Sequence, residues 1–304
     1  MAAQALDAEE RWPTEVVSVP NASRPSELRR VVLPESSVPM LLREEAPDGA
    51  SASVAADTDL VPDVYEGGFK LWEGARDLLE VLHDLSHCGE LTIAGARILE
   101  AGCGAGLPGA YAMRLGARSV VMQDYNAAVL REVTMPTFRL NALWPLVDEG
   151  RVRFISGDWT CVNAMLLAEG AYPGDIDCTL SHGKGLAPAG EGPDAGSGAY
   201  GFDFILSAET IYSTAAAPRL WELVRTQLRP GGTALLAAKS YYFGVGGSVQ
   251  DFKALVAAEP GFQCKTVRVW EDGASNRREC FAVVRDDHAA ATSADPAEGT
   301  ATRS

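Results

Sequence analysis

The segment ILEAGCGAGLPG, Ile98–Gly109, places four glycines in the eight positions from Gly102 onward, directly after a short apolar run that carries one acid, Glu100. Glycines in a turn between a strand and a helix let backbone come close to a ligand, and in open α/β sheets that turn sits where ligands bind. Gly104, Gly106 and Gly109 satisfy the dinucleotide pattern G-x-G-x-x-G, while the same stretch fits E-x-G-x-G-x-G, the loop that holds S-adenosylmethionine. Asp124 lies 20 residues beyond Gly104, the spacing of an acid that takes ribose hydroxyls. Both ligands present a ribose there, so Asp124 leaves the choice open. Glu100 weighs on it: a pyrophosphate gains nothing from a neighbouring carboxylate, whereas a sulfonium ligand with an ammonium group tolerates or welcomes one.

The elements that must position these residues follow from periodicity. Leu71, Ala75, Leu78, Leu79, Leu82 and Leu85 recur at helical spacing just before the first strand, ARILEA. A helix through AYAMRLG, a second strand SVVMQD, a helical region over 126 to 142 interrupted at Pro136, and a third strand VRFISGD come next. A helix near 161 to 168 precedes a Gly/Pro/Ala-rich insertion over 170 to 200, expected to be a mobile loop. Then come strand FDFILSAE, a helix over 217 to 228, strand TALLAAK and a helix near 249 to 258. The last apolar runs, CKTVRVW and ECFAVVR, flank a turn with Asp272 and Gly273 and would pair as a hairpin. Strands alternating with helices predict an α/β fold, a seven-stranded, mostly parallel sheet with helices on both faces and one C-terminal antiparallel hairpin. That closing hairpin is usual in Class I methyltransferases, whose fold is Rossmann-like, and unusual in dehydrogenases.

Residues 1 to 60 are rich in Pro, Ser, Ala and acids and are expected to be mostly disordered apart from a short strand at RRVVLP. The tail from 287 to 304 is expected to be disordered too, which leaves 61 to 286 as the folded domain. At 47% hydrophobic residues the 304-residue chain can bury a sizeable core. A net charge of -15 and a pI near 4.7 argue against direct nucleic-acid binding, which is built from Lys and Arg, and suit a basic partner. Six cysteines without C-x-x-C spacing point to neither zinc nor a disulfide framework, and the four histidines form no metal spacing. The N-terminal run MAAQALDAEERWPTEVV has no apolar core and carries Asp7, Glu9 and Glu10, and no apolar run approaches the roughly 18 residues of a membrane span. These features predict a soluble protein of cytoplasm and nucleus with no membrane association; a monomer is expected.

Six stretches carry a family resemblance: VYEGGFKLWEGARDLL (64 to 79), ILEAGCGAGLPG, QDYN (123 to 126), SGDW (156 to 159), SAETIY (207 to 212) and KSYYFGVGG (239 to 247). In kind and order they resemble the seven-strand histidine protein methyltransferases that modify a large-subunit ribosomal protein. The resemblance covers about 61 to 286, and its first and last stretches are far more specific than the glycine loop. It implies methyl transfer from S-adenosylmethionine to the tele nitrogen of a histidine in that protein.

On this resemblance Gly102, Gly104 and Gly106 would line the cofactor's methionine and ribose with Glu100 nearby, and Leu71, Trp72, Glu73 and Gly74 would fold over it. Asp124 would take the ribose hydroxyls, with Tyr125 and Asn126 shaping the adenosine pocket. Gly157, Asp158 and Trp159 would clamp adenine. Ser207, Glu209, Thr210 and Tyr212 would stand beside the sulfonium, Glu209 and Tyr212 as catalytic candidates. Neutral imidazole, with a reference pKa near 6.5, is already a nucleophile at pH 7, so Glu209 would orient the ring and stabilise the charge it gains. Tyr241, Tyr242, Phe243 and Gly244 would form a loop over the target histidine. Plainer readings stand beside these: Asp124 and Glu209 as helix caps, Trp72 and Trp159 as core aromatics. The rival functions are a lysine methyltransferase of the same class, whose substrate must first lose a proton, and a ribosome-assembly module that binds without turnover.

Overall fold

A computed structural model describes residues 14–17, 28–31, 40–43, 67–168, 201–271 and 277–286. The insertion expected over 170 to 200, the tail from 287, the turn at Asp272 and Gly273 and most of the first 60 residues lie outside the described residues. Three short strands, β1 (Thr14–Val17), β2 (Leu28–Val31) and β3 (Met40–Arg43), pair antiparallel in that order; β2 falls on the RRVVLP stretch.

From residue 67 strands and helices alternate. The first half runs α1 (Glu73–His87), β4 (Arg97–Ala101), α2 (Leu107–Arg114), β5 (Ser119–Asp124), α3 (Ala127–Val129), a π-helical turn (Leu130–Thr134), α4 (Met135–Leu140), α5 (Trp144–Asp148) and β6 (Val152–Ser156). The second runs α6 (Trp159–Ala168), β7 (Phe202–Ala208), α7 (Ala216–Gln227), β8 (Leu228–Lys239), α8 (Val249–Ala257), β9 (Phe262–Trp270) and β10 (Arg278–Arg285). Seven strands form one sheet in the order β6-β5-β4-β7-β8-β10-β9, parallel except for β10, which runs antiparallel to both neighbours. The mostly parallel sheet and its closing antiparallel pair are those the sequence predicts.

Successive residues of a strand face opposite sides, and here both sides are covered. Ile98 packs on one face with Leu78, Leu82, Leu107 and Phe138 from α1, α2 and α4. Its neighbour Leu99 packs on the other with Leu220, Val224 and Phe252 from α7 and α8. Burial on both faces is why β4 and β5 read as continuous apolar runs instead of alternating ones. The last strand is fastened to the first helix by a buried pair, Arg278 Nε donating to Asp77 Oδ2 at 2.6 Å.

Two segments differ from the periodicity reading. The helical region does not break at Pro136: that residue sits in the first turn of α4, where a missing N–H costs nothing, and the irregularity is the π-turn upstream. Strand β8 starts at Leu228, well before TALLAAK. Its ladder jumps from Phe202↔Leu228 to Phe204↔Thr233, so Pro230 and its two glycines are carried as an irregularity inside the strand instead of ending it.

Candidate active site

The C-terminal ends of β4, β5, β6 and β7 open into a cleft of about 230 Å³, roofed by the turn at Gly67–Trp72 and α1. Its floor is the glycine loop. Gly102 has φ 65°, and a Cβ there would lie 2.6 Å from Thr210 Cγ2, so both conformation and close approach demand glycine. The Gly102 amide donates to Gln123 Oε1 (3.0 Å), which also accepts from the Trp159 indole (2.8 Å), while Gln123 Nε2 donates to the Gly157 carbonyl (2.8 Å). One buried amide side chain thus fixes the loops after β4 and β6 relative to each other. Thr134, in the π-turn, braces the loop from below by donating to the Gly104 carbonyl at 2.6 Å.

Asp124 ends β5, and its two oxygens accept the amides of Gly104 (2.9 Å) and Asn126 (3.0 Å). A carboxylate so held still has capacity for hydroxyl donors on the cleft side. Glu100 is buried beneath the loop, where Oε2 accepts the Gly109 amide in the first turn of α2 at 2.7 Å. Burial pushes its carboxyl up to about 8, with the Gly109 amide opposing and Asp124 adding to the rise. A cation bound beside it would favour the ionised form. Asp158 caps α6 through the Thr160 amide (2.8 Å) and accepts from Arg219 (3.1 Å). Burial raises the Asp158 carboxyl, but the Thr160 and Arg219 donors outweigh it and hold it below the usual range.

The roof is held by Trp72, whose indole donates to the Gly67 carbonyl at 2.9 Å, with Lys70 and Lys239 Nζ 4.8 and 5.7 Å from its ring centre. Glu209 ends β7 in a left-handed conformation (φ 57°). Its Oε1 accepts the Gly74 amide at 3.1 Å and its Oε2 the Tyr242 hydroxyl. Burial raises the Glu209 carboxyl, and the Tyr242 hydroxyl, the Lys239 charge and the Gly74 amide offset part of that rise.

Leu71, Trp72, Glu100, Gly102, Gly104, Asp124, Tyr125, Gly157, Asp158, Trp159, Glu209, Thr210 and Tyr212 all line this one cleft. Gly106 instead starts α2, Asn126 starts α3, Glu73 pairs outward with Lys239, and Ser207 turns into the sheet to bond the Ala101 carbonyl and the Thr210 hydroxyl. Of the KSYYFGVGG loop, Tyr241 and Phe243 point to solvent, 44% and 81% exposed, with ring centres 5.1 Å apart. Tyr242 turns inward to Glu209, Gly244 has open space around it, and Val245 reaches the cleft wall. Periodicity assigned no role to Gln123, Thr134, Arg219, Gly67 or Gly68. The two glycines were visible as a doublet beside Trp72; the other three act through contacts distant in sequence. Among the described residues no cluster of His, Cys, Asp and Glu could hold a metal ion, and no helix is long and apolar enough to cross a membrane.

The arrangement is built to hold a small ligand: a diol against Asp124, a flat ring near Trp159 and Tyr125, and a positive charge above Glu100. No protein-family model matches the chain. A histidine protein methyltransferase 1 homolog of Dictyostelium discoideum is 36% identical over 222 residues, 73% of this chain and 59% of that protein. A histidine protein methyltransferase 1 homolog of Mus musculus is 32% identical over 244 residues, 73% of this chain and 58% of that one. The chain therefore spans less than two thirds of the length of these curated relatives. A solved Streptococcus mutans structure assigned to the S-adenosylmethionine-dependent methyltransferases superposes with a TM-score of 0.52 at 11% identity, covering 88% of this chain and 57% of that one. The chain has the Rossmann-like Class I methyltransferase fold and is similar in sequence, over that fold, to histidine protein methyltransferase 1 homologs.

Proposed function

We propose that the chain is an S-adenosylmethionine-dependent protein-histidine methyltransferase that acts on the tele nitrogen of a histidine in a basic large-subunit ribosomal protein. The observation that carries the reading is the convergence of Glu100, Asp124, Trp159 and the Gly67–Trp72 turn on one cleft, in a chain similar to histidine protein methyltransferase 1 homologs. Bound there, the cofactor supplies a methyl group on a sulfonium centre.

The chain's own residues bind and orient. Asp124 takes the ribose, Glu100 balances the ligand's positive charge, and Trp72 with the turn before it excludes water. A neutral imidazole needs no base before attack, so the protein's task is alignment and accommodation of the charge that the ring gains. Tyr212, Ser213 and Val245 line the cleft on the side of the exposed Tyr241 and Phe243, which offer apolar surface to the residues flanking the target. A net charge of -15 suits a basic substrate. A monomer working in cytoplasm and nucleus is consistent with such a partner.

The test is amino-acid analysis of unmodified ribosomal proteins after incubation with the purified chain and methyl-labelled S-adenosylmethionine. Label in tele-methylhistidine is the expected result. Label in methyl-lysine replaces the reading with the lysine class, and absence of label despite cofactor binding replaces it with a binding module.

A further inference from the structure

Glu209 stands between two segments that the proposed reaction must bring together, and it touches both. Its Oε1 holds the Gly74 amide in the first turn of α1, two residues beyond Trp72 in the cleft roof. Its Oε2 holds the hydroxyl of Tyr242, which lies between the exposed Tyr241 and Phe243. The backbone around this contact is fixed on every side. The Glu209 amide donates to Ala237 (2.9 Å), the Lys239 amide donates to the Tyr242 oxygen (3.2 Å), and the Gly247 amide donates to the Tyr212 carbonyl (3.0 Å). A Cβ on Gly74 would fall 2.8 Å from Glu209 Cγ, so the helix comes this near only because residue 74 has no side chain.

We infer that Glu209 is a positioning residue, a latch that joins the cofactor-covering turn to the substrate-side loop so that ordering one orders the other. This rests on the proposed function for the naming of the two segments, though not for the latch itself. The rival is that Glu209 faces the substrate imidazole directly. The two carboxylate oxygens are directed at donors on the two segments that the latch would join, which favours the latch. Burial and the neighbouring Glu209 charge keep the Tyr242 hydroxyl protonated well beyond its ordinary range, so it remains a donor throughout the neutral region.

The experiment is amide hydrogen exchange on the full chain, free and with S-adenosylhomocysteine, for wild type, Tyr242→Phe and Gly74→Ala. The variants break the latch from opposite ends, and circular dichroism confirms that each is folded. In the free chain Tyr242→Phe should speed exchange of the Gly74 amide about tenfold, and Gly74→Ala should speed exchange over residues 241–247 similarly. In wild type the ligand should protect both 67–74 and 241–247, and in either variant 67–74 alone. Unchanged exchange at the far segment in both variants overturns the latch, as does ligand protection of 241–247 that survives both substitutions. If S-adenosylhomocysteine protects neither segment in wild type, the cofactor reading fails, and the free-chain comparison still decides the latch.

Discussion

The cofactor wall of the cleft and the loop that stands beside its mouth, which we treat as its second wall, are made differently. On the cofactor side, Glu100, Gln123 and Asp124 are buried and each accepts a backbone amide from the glycine loop or from the helix turn that follows it. On the side proposed to meet the substrate, Tyr241 and Phe243 are exposed to solvent, with ring centres 5.1 Å apart. A wall whose side chains hold its own backbone is already shaped for a small rigid ligand, whereas exposed aromatics gain their burial only when a partner arrives. Substitutions should therefore damage folding and cofactor affinity together on the first wall, and substrate affinity alone on the second.

The sharpest way to break the contrast is Asp124→Ala, which removes the proposed ribose acceptor and the anchor of Gly104 at once. Affinity for S-adenosylhomocysteine, measured by titration calorimetry, should fall on the order of 100-fold. A fall below about threefold would mean that the first wall is scaffold and not site.

Glu100 tests the same wall through pH. Folded, it keeps its proton up to about pH 8, whereas the unfolded group loses it near 4.5, so between those values the folded chain binds more protons. Stability therefore declines as pH rises across that window, by a few kcal/mol in order of magnitude from this group. Glu100→Gln cannot ionise and can still accept the Gly109 amide. Urea unfolding at pH 5, 6.5 and 8 should show a flatter profile than wild type, with the largest gain at pH 8.

Thr134→Val keeps the shape under the glycine loop and deletes the bond to the Gly104 carbonyl. Cofactor affinity should drop about fivefold with a stability loss of about 1 kcal/mol, and Thr134→Ser should recover most of the affinity. Smallest on every cofactor measure is Phe243→Ser. It should leave the melting temperature and S-adenosylhomocysteine affinity unchanged while raising the KM for protein substrate several-fold. A weakened cofactor affinity there would show that the walls are not independent in the way their burial implies.

Much of the fold was readable because it depends on local regularity. Doubly covered strands such as SVVMQD announce themselves as apolar runs, and the glycine loop shows as four glycines in eight positions directly after such a run. What escaped depends on distant partners. Nothing local says that Tyr242 turns inward while its two aromatic neighbours face out, since the choice is made by Glu209, 33 positions away. Gln123 looks like a polar strand end until the Gly102 amide and the Trp159 indole are found on its carbonyl oxygen. The π-turn before Pro136 and the ladder jump in β8 escaped because local rules read proline and glycine as breaks, while tertiary packing carried the elements through them.

The buried pair between Arg278 and Asp77 has a consequence for how the protein comes into being. Asp77 sits on the helix that carries the roof of the cleft, and its partner belongs to the last strand of the sheet to be synthesised. A nascent chain emerging from the ribosome already owns the glycine loop, Asp124 and the apolar contacts of α1, yet Asp77 lacks the Arg278 guanidinium until β10 is made, and a buried acid without its ion-pair partner is costly. Full ligand affinity is then acquired only once β10 has been made, and fragments ending before residue 278 should bind the cofactor weakly even where most of the sheet has formed.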